Sequence, residues 1–244
     1  MRKLLYVKMM HALSEEMVER GRDTDEISRI KAFNSALCPY NEELARDVLE
    51  VAKDSPINKV YCESVTNSNQ FDEKPDKKSM FWPAYVLIEE TGAKLMETEH
   101  VLLYRFADMV AEAFVENGEK YQKGLISLGK ERAARGFLEF LEFWPFDKDV
   151  DREDLIKVCR GEEHSNFWRI IDKYDAWNIN RTLGEDEQGV LFTGGRHKVD
   201  ELLKELGSDI DVRVLDYSLS SCENGNNPSN VVINMLRRFV SGKQ

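Results

Sequence analysis

Short apolar runs recur along the chain, each ending in polar residues, and between them the apolar period lengthens to that of helices. Leu4-Leu5-Tyr6-Val7-Lys8-Met9-Met10 opens the series and runs directly into His11. Runs of this kind are what strands buried on both faces require. Val60-Tyr61-Cys62 ends at Glu63, Val190-Leu191-Phe192-Thr193 at Gly194-Gly195, and Val212-Arg213-Val214-Leu215 at Asp216-Tyr217. A weaker run, Lys94-Leu95-Met96, ends in Glu97-Thr98-Glu99-His100. Among the intervening stretches, Leu44, Val48, Val51 and Ala52 share one helical face, with Asn41 as the expected N-cap and Pro56 as the stop. Leu102, Phe106, Val110 and Ala113 make a second stripe, and Phe167, Ile170, Ile171, Tyr174 and Trp177 a third. Val199, Leu202, Leu203 and Leu206 make a fourth, closed by Gly207. A last helix carrying Val232, Met235, Leu236 and Phe239 follows the turn cluster Asn224 to Pro228.

Strands alternating with helices predict right-handed β-α-β units, hence an α/β fold with a mainly parallel sheet covered by helices on both faces. Residues 116–163 do not fit that alternation: the stretch is highly charged and broken at Trp144-Pro145. It is read as an inserted helical segment or cap within a single domain spanning 1–244. With 244 residues, 42% of them hydrophobic, the chain buries a full core without a disulfide framework.

Charge and cysteine content narrow the function classes. Lys and Arg total 34 against 45 Asp and Glu, a net charge of −11, so the average field repels nucleic acid and anionic lipid. Cys38, Cys62, Cys159 and Cys222 form no C-x-x-C pair, which removes the usual signal for a zinc knuckle or dithiol centre. No apolar run approaches the roughly 18 residues that span a bilayer, and the opening stretch is too short for a signal peptide. The expectation is a cytoplasmic protein with neither a nucleic-acid nor a membrane partner.

In open parallel sheets, ligands bind beyond the carboxyl ends of the strands, where loops and helix N-termini converge. His11, Glu63, the Glu97 to His100 group and the segment Gly194-Gly195-Arg196-His197 all fall at such ends. The glycines permit a tight turn and close backbone approach to a ligand, and Arg196 offers a fork for a carboxylate or phosphate. Gly194, Gly195 and Arg196 are therefore the expected substrate-binding residues. His197 is expected in the first turn of the next helix, where the dipole would keep its ring neutral and available as base or metal ligand. Each of these residues taken alone is an ordinary surface or loop residue; their expected convergence on one sheet edge is what raises them. Ser218, Ser220, Ser221 and Cys222 form a polar run with no adjacent base to activate any of them. The chain carries no G-x-G-x-x-G, Walker A, H-E-x-x-H or G-x-S-x-G motif.

Tyr174-Asp175, Ile179-Asn180-Arg181-Thr182-Leu183 and Gly189-Val190-Leu191-Phe192-Thr193-Gly194-Gly195-Arg196-His197 together resemble the closing segment of the TraB/erythromycin-esterase/ChaN-like superfamily. That group is similar in placing a histidine after an N-terminal strand, a glutamate at the end of the next, and G-x-x-H after a late strand. The resemblance maps these roles onto His11, Glu63 and Gly194 with His197, and an arginine role onto Arg132 or Arg181. It departs at Lys8-Met9-Met10-His11, which has no glycine three residues before the histidine. Members are associated with metal-dependent peptidase-like or esterase-like hydrolysis, others with ligand binding.

Two function classes follow. In the first, His11, Glu63 and His197 form the catalytic centre of a hydrolase-like enzyme acting on a small molecule or peptide. They either hold a divalent metal, zinc, manganese or iron, or supply acid and base groups around a water. In the second, the same crevice is a non-catalytic ligand-binding or sensor site, with residues 116–163 as a partner or homodimer contact. A purely structural role would not require polar residues at successive strand ends.

Overall fold

The computed structural model describes residues 1–10, 24–67, 71, 73–101, 103 and 164–217. Five strands form one sheet: β1 (Lys3–Met9), β2 (Ile57–Cys62), β3 (Lys94–Met96), β4 (Gln188–Gly194) and β5 (Asp211–Asp216). They correspond to the five apolar runs, and every pairing is parallel, in the order β3-β2-β4-β1-β5. Among the described residues, four helices accompany them: α1 (Thr24–Ala52), α2 (Trp82–Thr91), α3 (His164–Thr182) and α4 (Val199–Glu205). The α/β fold with a parallel sheet is thus as the alternation of periods predicts.

Because side chains alternate along a strand, each strand feeds two cores. Leu5, Val7, Val60, Cys62, Val190 and Phe192 pack on one face with Leu44, Val48, Ala84 and Leu87 of α1 and α2. Leu4, Tyr6, Tyr61 and Leu191 pack on the other with Ala176 and Ile179 of α3, Leu183 just after it, and Leu202 and Leu203 of α4. Gly189 lies in the second core, against Tyr61, Leu4 and Leu183. A Cβ there would meet Tyr61 Cε2 at 3.1 Å, Leu4 Cδ1 at 3.2 Å and Leu183 Cδ1 at 3.3 Å. Gly189→Ala is therefore expected to cost about 1–3 kcal/mol, read as a fall in the urea midpoint, because three neighbours must give way at once.

The helices differ from the sequence expectation in instructive ways. Asn41 is not an N-cap; α1 runs through both Pro39 and Asn41. The Asn41 amide instead donates to the carbonyls of Lys77 (2.8 Å) and Ser79 (3.0 Å), so a residue that reads as a helix start is a buried tie to the following loop. Helix α2 leaves no clear stripe in the sequence, because it carries apolar residues on most of its circumference and so blurs the 3.6-residue period. Its ends are still marked: Pro83 sits in the first turn, and Gly92 closes it at φ 68° with its N–H on the Ile88 carbonyl. Gly207 ends the α4 segment as expected, at φ 65°. The stripe assigned to α3 is partly rotated. Ile170 and Ile171 are buried, but Tyr174 and Trp177 are only half-buried, and Asp172, Asp175, Ala176, Ile179 and Leu183 face inward. The 116–163 insertion, the Phe106 to Ala113 stripe and the C-terminal helix lie outside the described residues. Among the described residues no helix is long and apolar enough to cross a membrane.

Candidate functional site

Strand order sets where a ligand crevice is expected. β2 and β4 are neighbours, but after β2 the chain continues to α2 on one face, while after β4 it continues to α4 on the other. Loops that part toward opposite faces leave an opening at the strand ends, the topological switch point where open α/β sheets bind ligands. Glu63 directly follows β2 and His197 follows β4 by three residues, so the sequence places both on the two lips of this opening.

The backbone seats Glu63 first. Its N–H donates to the Phe192 carbonyl at 2.9 Å, continuing the β2–β4 ladder by one rung. Its side chain then reaches across the same gap: Oε2 accepts the Gly194 N–H at 2.8 Å, and Oε1 lies 3.1 Å from His197 Nε2. The other ring nitrogen, Nδ1, is 2.5 Å from Asp172 Oδ1 on α3. Asp172 Oδ2 accepts the Lys198 N–H at 2.8 Å, which fixes the carboxylate plane against the loop that carries the histidine. The result is a buried carboxylate–imidazole–carboxylate chain, Asp172–His197–Glu63, with side-chain exposures of 4%, 5% and 12%. Glu63 is its most solvent-accessible member.

The charge state of this chain differs from the sequence expectation. Helix α4 begins at Val199 with Lys198 at its N-cap, so His197 precedes the helix rather than occupying its first turn. Burial by itself drives the ring toward neutrality, but the Glu63 and Asp172 carboxylates outweigh it and hold His197 well above the ordinary imidazole range. The ring has a carboxylate oxygen at each nitrogen, the arrangement that favours an imidazolium donating from both, and Arg196 beside it is exposed.

Two more acids border the chain. Asp175, one helical turn from Asp172, is fully buried, and among the described residues neither of its carboxylate oxygens has a hydrogen-bond partner. Burial, followed by the nearby Glu99 and Asp172 carboxylates, pushes it well above the usual carboxylate range, which favours the neutral acid. Glu99, 4% exposed, follows β3 and accepts the Ser64 N–H at 2.7 Å. His100 belongs elsewhere: its ring meets Tyr174 edge-on at 6.1 Å, and burial lowers its pKa.

Of the predicted site residues, the structure brings Glu63, Gly194 and His197 together through direct contacts. β1 also ends at this edge, with Met9 paired to Gly194, but His11 lies outside the described residues. Asp172 was missed by sequence reading. Its signal is an acid at i, i+3, i+4, i+7 and i+11 register with Asp175, Ala176, Ile179 and Leu183, a carboxylate on the stripe a helix normally keeps apolar.

Among the described residues no group of three or more His, Cys, Asp or Glu side chains is arranged to hold an ion. A three-ligand set of His11, Glu63 and His197 includes a residue outside the described ones. No protein-family model, no curated protein and no solved structure matches this chain, so the geometry of the crevice carries the functional argument.

Proposed function

We propose that this chain is a hydrolase-like enzyme working by acid–base chemistry, with Glu63 as the base, His197 as the acid and Asp172 holding the imidazole in line. The observation that supports this most is the buried Asp172–His197–Glu63 chain at the switch point between β2 and β4. Glu63 takes a proton from a water as that water attacks the carbonyl carbon of an ester or amide. His197 gives its Nε2 proton to the leaving group. The proton on Glu63 then crosses the 3.1 Å contact to Nε2 and restores the starting state. Asp172 keeps the Nδ1–H engaged throughout, which fixes the ring plane and favours the charged form. Arg196, exposed beside the glycine pair, is placed in this reading to meet an anionic group of a small-molecule or peptide substrate.

The same reading keeps the likeness to the TraB/erythromycin-esterase/ChaN-like group, a cytoplasmic setting in which Cys38 and Cys62 stay reduced, and residues 116–163 as a cap or homodimer contact. The acid–base form is preferred over the metal form because His197 is already committed to two carboxylates.

A panel of p-nitrophenyl esters, peptides and phosphate monoesters tests it, with Glu63→Gln as the control. The expected result is turnover of an ester or amide probe that falls about 10²- to 10⁴-fold in kcat/KM when Glu63 becomes glutamine. Turnover unaffected by Glu63→Gln excludes the assignment. A second reading, a non-catalytic binding or sensor domain, is favoured by the internal pairing of the Glu63 and Asp172 carboxylates and the His197 ring. Ligand-induced thermal stabilisation with no turnover across the panel would select it.

A further inference from the structure

The turn that aims Glu63 is strained and is held from outside. Val65 N–H returns to the Cys62 carbonyl at 3.2 Å, closing a four-residue turn with Glu63 and Ser64 at its centre. Ser64 has φ 67°, a left-handed conformation that turns of this kind normally assign to glycine or asparagine. A serine there relaxes unless its backbone is anchored.

The anchor is the segment after β3. Glu99 Oε1 accepts the Ser64 N–H at 2.7 Å. The Val65 carbonyl accepts both the Thr98 N–H (2.8 Å) and the Glu99 N–H (3.0 Å), and Thr98 Oγ1 accepts the Cys62 N–H at 3.1 Å. Residues 62, 64 and 65 are thus gripped on one side by residues 98 and 99, while Glu63 between them faces β4. Glu99 is 4% exposed, so its bond to Ser64 is shielded from competing water.

We propose that Glu99 is a positioning residue for Glu63: by accepting the Ser64 N–H it holds the Cys62–Val65 turn in the left-handed conformation that sets the Glu63 carboxylate against His197. Its effect on activity rests on the acid–base reading above, whereas its effect on geometry does not.

The test uses the full chain and two readouts: the titration midpoint of the His197 ring by NMR, and hydrolysis of p-nitrophenyl acetate. Glu99→Ala is expected to lower the His197 midpoint by about one unit or more, because Glu63 withdraws from Nε2 and its share of the stabilisation of the charged ring is lost. Glu99→Gln keeps an acceptor oxygen but loses the charge, and is expected to hold the midpoint near that of the parent. Ser64→Gly added to Glu99→Ala is expected to recover at least half of the shift, because glycine adopts the turn without the anchor. If Glu99→Ala yields no folded protein, Ser64→Val carries the test: a β-branched residue at positive φ should lower the midpoint with Glu99 intact. An unmoved midpoint in the alanine variant, a glutamine variant that behaves like alanine, or no recovery from Ser64→Gly would each overturn the assignment. So would an unmoved midpoint in Ser64→Val where that variant carries the test. Absence of p-nitrophenyl acetate turnover in the parent counts against acid–base hydrolysis of this ester, and the His197 midpoint still decides the role of Glu99.

Discussion

His197→Ala is expected to destabilise the fold by about 3–5 kcal/mol, the cost typical of removing one partner from a buried ion pair. The substitution removes more than packing. It deletes the cation that separates Asp172 from Glu63, two carboxylates exposed by only 4% and 12%, and leaves like charges facing each other across a small void. The Gly194 N–H and Lys198 N–H remain to stabilise each carboxylate, but neither neutralises a charge. Glu63→Gln placed in the same chain should recover part of the loss, because the remaining Asp172 then has no charged opponent at that position. Urea unfolding of the single and double variants measures both effects, and a strongly non-additive pair is the expected signature of direct coupling.

The second large expectation is a fall in stability toward alkaline pH. The His197 pKa is raised by its carboxylate partners, so its contribution is fully present below the unfolded imidazole value of about 6.5 and is lost as pH rises through the higher folded value. Asp175 has the same sign for a different reason. Burial keeps it protonated in the fold while the unfolded chain releases that proton above about pH 3.9. Each such proton contributes a slope of about 1.4 kcal/mol per pH unit over its own window. Glu187 opposes them only in acid: its pKa is lowered, chiefly by the hydrogen bond from Lys59, so its stabilisation disappears as pH falls through its folded value. Urea midpoints from pH 5 to pH 9 should therefore decline toward the alkaline end. Asp175→Asn, which replaces a neutral acid with a neutral amide of the same shape, should raise the midpoint at neutral pH. A lower midpoint for Asp175→Asn at pH 7 would show that the carboxyl is ionised and paired.

Strand positions were legible because parallel strands buried on both faces, as β1 and β4 are, leave continuous apolar runs, and all five runs became strands although β5 is mostly exposed. The lips of the crevice were legible for the same reason: Glu63 and the Gly194-Gly195 pair stand where apolar runs stop. What linear sequence does not carry is lateral order. Nothing in residues 57–62 or 188–194 says that these strands are neighbours, and only that adjacency puts Glu63 Oε1 3.1 Å from His197 Nε2. Asp172 was hidden by a related ambiguity. Ile170 and Ile171 draw the apolar stripe of α3 toward Tyr174 and Trp177, yet Asp172 and Asp175 face inward, Asp172 against the His197 ring. The protonation state of His197 was misjudged because a helix dipole was weighed without the two carboxylates, whose full charges at contact distance outweigh partial charges one residue away. Asn41 shows the same limit at the level of caps, since its amide found backbone carbonyls 36 and 38 residues on before it could serve its own helix.

One protonation state in one place decides the chemistry of this site, a doubly protonated His197 held between Asp172 and Glu63. Nitrogen-15 chemical shifts of the His197 ring followed across pH measure it directly. Both nitrogens should stay protonated well above pH 6.5, and Glu63→Gln should bring the transition down. A ring that titrates at or below pH 6.5, or a single neutral tautomer at neutral pH, would contradict the account.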